Sequence, residues 1–312
     1  MQIRYTVGWK AYFFLKKDLK LPLPSYSTLC RHIAQLDFSP GILKDVISLM
    51  KKKKETHTSS HQSDCVLLMD EMDICKTLEY DVSTGSFFGQ TTYQEDIPTL
   101  SSNVIVFMLR GLNDNWKQVI AWHLTTKTSD EKVMCGVILE IIDEIEKIGY
   151  KVHGLVSDMG PKNQAVWRTL GMKVGKDNNT PFITHPIRSH ESLCIFPDVP
   201  HLLKNLRSAL MNNLIIKVAL TIVQSQGLPC NEVRFRYLEQ LEESQRRYQL
   251  KLAPNITVDI LKPSNFNKMS VAAAAHIFNE RTAAALETLV QLQIMERDAL
   301  TTAWFLRTVI LV

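Results

Sequence analysis

Apolar positions change their spacing twice along the chain. Up to about Met50 they recur at helical intervals, Leu29, Ile33 and Leu36 and then Ile42, Val46 and Leu49. Leu21-Pro22-Leu23-Pro24 and Ser39-Pro40-Gly41 break this pattern, and Ser25, Ser27 and Thr28 offer N-caps, so a small helical region is predicted. From Cys65 the runs become short and rich in β-branched residues. Val66 to Met69 predicts a strand, 78–92 a hairpin turning at Ser83-Thr84-Gly85-Ser86, and Val104 to Leu109 and Val119 to Leu124 two more strands. Helical spacing then returns in Val133, Val137, Ile138, Ile141, Ile145 and Ile148. Thr128 or Ser129 would cap this helix, Asp130 and Glu131 suit its positive end, and Gly149 would stop it. A strand from Val152 to Ser157, a helix from Pro161 towards Leu170, a polar loop to His190 and a strand from Leu193 to Phe196 follow. After His201 the pattern is helical: an amphipathic stretch over 202–210, a charged one over 232–250 and an Ala-rich one over 271–300, with Pro254, Pro263 and Asn265 marking breaks.

This order divides the chain into a helical region 1–54 ending in Lys51-Lys52-Lys53-Lys54, a polar linker 55–64, an α/β core 65–200 and a helical region 201–312. A first strand, further antiparallel strands, a helix and then parallel strands is the order of a ribonuclease-H-like mixed sheet with flanking helices. In that sheet the first and fourth strands are neighbours.

Composition adds little to this picture. The chain has 312 residues, 45% hydrophobic and 22% charged, with a net charge of +4, which suits a globular protein and permits an anionic partner without demanding one. Cys30, Cys65, Cys75, Cys135, Cys194 and Cys230 are scattered with no CxxC pair, so neither a zinc ribbon nor a disulfide framework is readable. Met1 to Lys20 carries four lysines and lacks the apolar centre of a signal peptide, and Leu300 to Val312 is too short to span a bilayer. An intracellular protein with no membrane partner is expected.

Two acids stand out because of where they fall. Asp70 closes the run Cys65 to Met69 and Asp158 closes Val152 to Ser157, and a carboxylate at the end of a core strand is costly to bury without a cation or donor. They are read as ligands of a shared divalent metal site, with turn or capping roles as the plain alternative. Asp198 and His201 lie three apart at a strand-to-helix junction, so Asp198 reads equally well as the N-cap of a helix with Pro200 in its first turn. Lys204 and Arg207 follow on the face of His201, a face suited to phosphates. His57 and His61 have the spacing of a helical metal pair but no acidic or Cys partner, and Lys51 to Lys54 reads as a solvated helix end or a phosphate-contacting patch. Trp116, Trp122, Trp167 and Trp304 are expected in the core or at its rim. GxxxxGK[ST], a strand followed by GxGxxG, and GxSxG are all missing, which leaves P-loop, dinucleotide-binding and hydrolase-elbow readings unsupported.

Four blocks carry a family resemblance: Leu68-Met69-Asp70-Glu71-Met72-Asp73-Ile74, Ser157-Asp158-Met159-Gly160-Pro161-Lys162-Asn163, Phe196 to Arg207 and Leu261 to Val271. In this order they resemble the P-element-type transposases and their THAP-domain cellular relatives, the third block through its Asp-x-x-His signature. The resemblance implies a ribonuclease-H-like core interrupted by a helical, guanine-nucleotide-binding insertion domain, and Mg²⁺- or Mn²⁺-dependent DNA strand cleavage and transfer in the nucleus. It assigns Asp70 and Asp158 to catalysis and metal binding and matches Asp198 and His201 to an additional motif; these two, with Lys204 and Arg207 on the same helical face, are expected to position DNA. DNA is the implied partner, GTP a cofactor, and homo-oligomerisation an expectation of the same kind. The family's zinc module is not readable here, and its third acid, a Glu beyond the insertion, has no match, with Glu280, Glu287 and Glu296 lying before the expected return to the core. The expectation is therefore a truncated insertion, in a fragment or a decayed or domesticated copy with an impaired site. A non-catalytic nuclear DNA-binding or protein-interaction module is the alternative.

Overall fold

The computed structural model describes residues 2–33, 36–82, 85–92, 99–127, 130–173, 180–264 and 270–310. They form two compact units, Met1–Phe196 and Pro197–Val312.

In the first unit three helices, α1 (Gln2–Lys17), α2 (Tyr26–Ile33) and α3 (Lys44–Lys54), precede the main strands, with a short strand β1 (Gly41–Ile42) between α2 and α3. The four lysines fill the last turn of α3, where a cation is favoured by the helix carbonyls. Within the expected linker, Ser60–Ser63 form a 3-10 turn closed by a reciprocal Ser59–Gln62 capping box. The strands β2 (Asp64–Asp73), β3 (Glu79–Asp81), β4 (Ser86–Phe88), β5 (Asn103–Gly111) and β6 (Lys117–Thr125) follow. Then come α4 (Glu131–Lys147), β7 (Lys151–Ser157), α5 (Pro161–Thr169), β8 (Phe182–Thr184) and β9 (Ser192–Pro197).

Seven strands build one sheet in the order β1-β6-β5-β2-β7-β9-β8. Without its two edge strands this is the ribonuclease-H-like arrangement: β2, β5 and β6 pair antiparallel, and β7 runs parallel to β2. The predicted hairpin exists only as the separate ribbon β3–β4, outside the main sheet; Ser83 and Thr84 of its turn lie outside the described residues.

Alternation along β2 decides the faces. Cys65, Leu67 and Met69 are buried against α4 and α5 in one core with Phe107, Leu155, Ile138, Ile141, Ile142, Ile145 and Trp167. The opposite face carries Val66, Leu68, Val106, Met108 and Val156, all half-buried. The α4 stripe lies slightly off its expected line: Met134, Cys135 and Ile142 are buried, whereas Val133 is exposed. Asp130 is its N-cap, accepting from the Lys132 amide, and Gly149 at φ 84° ends it; Thr128 and Ser129 lie outside the described residues.

The second unit contains α6 (Val199–Asn213), β10 (Ile215–Lys217), α7 (Leu220–Gln226), β11 (Glu232–Arg234), α8 (Arg236–Gln245), α9 (Val258–Leu261), α10 (Val271–Ile277), α11 (Glu280–Gln291) and α12 (Ala299–Ile310). The charged stretch expected to be helical from Glu232 starts instead as β11, antiparallel to β10, because Val233 turns into the core there. The Ala-rich stretch divides at Asn279, whose side chain accepts from the Thr282 amide and caps α11. Asn265, expected at a break, lies outside the described residues, as do the rest of 265–269. Leu210, Val233, Tyr237, Leu241, Ile277, Leu286, Ala303 and Leu306 belong to this unit's own core.

Candidate functional site

Asp70 and Asp158 are set by the parallel pairing of β2 and β7. The register Leu67↔Leu155 and Leu68↔Val156, carried two residues further, puts Asp158 level with Asp70. Residues in parallel register share a face, so the extended register would set both acids on the side of Leu68 and Val156. Pairing with β7 stops at Leu68↔Val156 while β2 runs on to Asp73, paired only with β5, so a notch opens beside Asp70. This corrects the premise of buried strand-end acids: Asp70 is exposed and Asp158 half-buried.

The neighbouring charges single these two out. Glu71 accepts from Lys162 Nζ at 3.2 Å and from Thr125 Oγ1 at 3.4 Å. Asp73 accepts from Asn103 Nδ2 at 2.9 Å and lies 3.6 Å from Lys127 Nζ. Asp70, immediately before Glu71, has among the described residues only the Glu71 amide on Oδ1, at 2.9 Å. Asp158 Oδ1 accepts from the Gly160 amide at 2.9 Å and from Asn163 Nδ2 at 2.5 Å. Among the described residues no hydrogen bond reaches Oδ2 of either acid.

Two carboxylates with open oxygens on adjacent strands suit a hard divalent cation, which binds through one or two carboxylates, waters and substrate phosphate. Among the described residues no group of three His, Cys, Asp or Glu side chains is placed to hold a metal. The residues present therefore fit a two-carboxylate site.

Asp198 and His201 belong to the second unit, and the capping alternative is realised there. Asp198 is the N-cap of α6, its Oδ2 accepting from the His201 amide at 3.1 Å, with Pro200 in the first turn. The His201 ring is 39% exposed, with Nε2 4.0 Å from Asp198 Oδ2, and Lys204 is half-buried. Arg207, expected on the same phosphate-facing side, is only 2% exposed. Its Nη2 donates to Ile260 O at 2.9 Å, so the guanidinium is built into this unit's interior rather than offered to DNA. The three glutamates that fall short of a third-acid role are engaged inside the unit: Glu280 and Glu287 both bind Arg307, and Glu296 binds Arg236 and Tyr237.

His57 and His61 point to different partners, Ser63 Oγ at 3.0 Å and Asp64 Oδ2 at 3.1 Å. Asp64 also meets His153 Nε2 at 3.0 Å, and the hydrogen bonds from the two imidazoles hold its carboxyl below the usual range despite burial. Trp167 is buried, as expected for a core aromatic, and its indole donates to Ser157 Oγ at 3.0 Å, tying α5 to the end of β7. Sequence reasoning did not give Asn163 a role. Its signal is a short amide five residues beyond a strand-end acid, at the start of a helix opened by proline.

No described helix is long and apolar enough to cross a membrane. Residues 38–171 match the family model described as TNP-like, RNase H N-terminal domain, and residues 200–310 match the TNP-like, GTP-binding insertion domain. The Transposable element P transposase of Drosophila melanogaster is 27% identical over 307 residues, covering 97% of this chain and 36% of that protein. The DNA transposase THAP9 of Homo sapiens is 25% identical over 312 residues, covering 98% of this chain and 33% of that protein. Among solved structures, the Drosophila P element transposase strand transfer complex superposes with a TM-score of 0.74 at 24% identity, over 98% of this chain and 61% of that one. The chain thus spans about a third of the length of these curated relatives.

Proposed function

The chain belongs to the P-element-type transposase family, and from that premise we propose that Asp70 and Asp158 form the carboxylate pair of a divalent-metal site for DNA strand cleavage and transfer. The observation that carries this reading is the β2–β7 register, which levels the two acids on one face with an oxygen of each open. Asp70 and Asp158 would hold Mg²⁺ or Mn²⁺ through Oδ2. Such an ion supplies Lewis-acid polarisation of a phosphate oxygen and a more acidic bound water. Lys162 and Lys127 offset Glu71 and Asp73, which lowers the repulsion that an incoming phosphate meets. His201 and Lys204, with Asp198 fixing the start of α6, are proposed DNA-positioning residues of the second unit. DNA as substrate, homo-oligomeric assembly and a nuclear location belong to the same proposal.

Two carboxylates without a third should bind metal weakly, so the 312-residue chain is expected to cleave DNA poorly or not at all. Calorimetric Mn²⁺ titration tests the site: Asp70→Asn and Asp158→Asn should each weaken binding at least tenfold, about 1.4 kcal/mol. Binding that neither substitution changes would remove the reading. Vigorous Mg²⁺-dependent DNA cleavage by this chain, lost in Asp70→Ala, would instead show that the acid set is complete.

A second reading, a non-catalytic DNA-binding or protein-interaction module, is favoured by the turn role that Asp158 already fills towards Gly160; a wild-type chain that binds DNA but no metal would establish it. Guanine-nucleotide binding by the second unit rests on the match over 200–310. Arg234, Arg236, Arg246 and Arg307 are each paired with glutamate there, so a triphosphate must meet other cations or displace these pairs. Titration with a fluorescent GTP analogue decides this point.

A further inference from the structure

We propose that Asn163 is a positioning residue for Asp158: its side-chain amide fixes one carboxylate oxygen, so that the other is presented on the face shared with Asp70. This rests on the metal-site reading above and extends it to a residue that acts through Asp158.

The Asp158 carboxylate is held asymmetrically. Both donors that reach Asp158, the Gly160 amide at 2.9 Å and Asn163 Nδ2 at 2.5 Å, fall on Oδ1. The backbone bond alone would close an Asx-type turn and still leave the carboxylate free to exchange its oxygens by rotation. A second donor from a different direction removes that freedom. It also assigns the oxygens separate tasks, Oδ1 to the turn and Oδ2 to a ligand.

Asn163 is itself held. Pro161 starts α5 with its φ already helical, and Gln164 ties the same turn twice, through its amide to Gly160 O at 3.0 Å and through Nε2 to Met159 O at 2.8 Å. One turn further on, the buried Trp167 donates to Ser157 Oγ at 3.0 Å, anchoring α5 to the residue before Asp158. The residue at 160 completes the cradle: a Cβ added to Gly160 would stand 3.0 Å from Asp158 Oδ1, tighter than ordinary contact. Oδ1 thus has the Asn163 amide as a donor and, at residue 160, a neighbour with no Cβ to crowd it.

Groups that orient a metal ligand without touching the metal typically change affinity 10–100-fold when removed. A group that only stabilises the turn changes the melting temperature and leaves affinity alone. The experiment is Mn²⁺ calorimetry on the full 312-residue chain, with thermal midpoints recorded with and without Mn²⁺, for wild type, Asp158→Asn, Asn163→Leu, Asn163→Gln and Gly160→Ala. Asn163→Leu should weaken Mn²⁺ about tenfold and shrink the Mn²⁺-induced rise in melting temperature. Asn163→Gln, which keeps the amide donor, should recover part of both. Gly160→Ala, which crowds the same oxygen, should weaken binding like Asn163→Leu and keeps the test open if the leucine variant does not fold. Wild-type affinity in a folded Asn163→Leu or Gly160→Ala chain, alongside loss in Asp158→Asn, overturns the positioning role while sparing the metal site. No Mn²⁺ binding by wild type, or wild-type binding by Asp158→Asn, overturns both.

Discussion

At the scale of single residues, one buried histidine sets a pH dependence of stability. His123 on β6 is 9% exposed; its Nδ1 lies 3.2 Å from Thr92 Oγ1 and its ring stands edge-on to Phe107. Burial lowers its pKa from 6.5 to about 4. A histidine that resists protonation in the fold costs nothing above the unfolded value. As the pH falls below 6.5 the unfolded chain takes up the proton first, and stability declines until the folded side chain titrates near 4. The loss approaches about 3 kcal/mol over that window. Burial moves His57 and His185 in the same direction, so His123→Gln should flatten the decline without abolishing it. Urea unfolding at pH 7, 5.5 and 4.5 measures this, and an unchanged slope in His123→Gln would show that the buried ring is not its source. The same scale shows what single residues reveal in a sequence. Asp70 and Asp158 were legible because a carboxylate that closes an apolar run is conspicuous. Their exposure was not, because it depends on β2 outrunning β7 in the sheet. Arg207 looked like a phosphate contact by spacing alone, and the packing of its helix turned it inward.

At the scale of elements, the long strands and α4 were readable because many residues share one period. The short ones were not. Gly41–Ile42 is fixed by β6 far along the chain, and Phe182–Thr184, Ile215–Lys217 and Glu232–Arg234 by partners across a single connection; runs of two or three residues are too short for a period of their own to show. Side-chain tethers of loops are equally silent in sequence, and the clearest is Gln245 at the end of α8. Only 4% exposed, it donates through Nε2 to Ala253 O at 2.8 Å and Ile256 O at 3.1 Å, and accepts from the Ala253 amide at 3.0 Å. It therefore satisfies three backbone groups of a loop that has no ladder of its own. Gln245→Leu keeps most of the volume and strands the Ile256 carbonyl and the Ala253 amide, whereas Ala253 O keeps the Ile256 amide, at a cost of about 2–4 kcal/mol. Urea unfolding should show this as a lower midpoint at unchanged slope. A midpoint within error of wild type would mean that water replaces the side chain without loss.

At the scale of the whole molecule, the two hydrophobic clusters share no member. Ile138, Ile141, Leu67 and Phe107 lie in the core of residues 1–196, and Tyr237, Leu241, Leu286 and Leu306 in that of 197–312. Each unit is long enough to bury a core of its own. The family models fall on either side of the same division, 38–171 and 200–310, as they would if a helical domain had been inserted into an α/β one. An insertion tolerated by its host must fold without borrowing the host's core, which predicts separable cooperativity. Ile141→Ala and Leu286→Ala each empty a fully buried site and should cost about 3 kcal/mol. Scanning calorimetry of the intact chain should resolve two transitions, with Ile141→Ala lowering one and Leu286→Ala the other. Should both substitutions move a single transition together, the units would unfold as one cooperative block. Mn²⁺ provides an independent marker in the same scan, because a ligand of Asp70 and Asp158 stabilises only the unit that holds them. If the proposed site binds Mn²⁺, the transition raised by Mn²⁺ should therefore be the one lowered by Ile141→Ala, because Asp70 and Ile141 belong to the same unit.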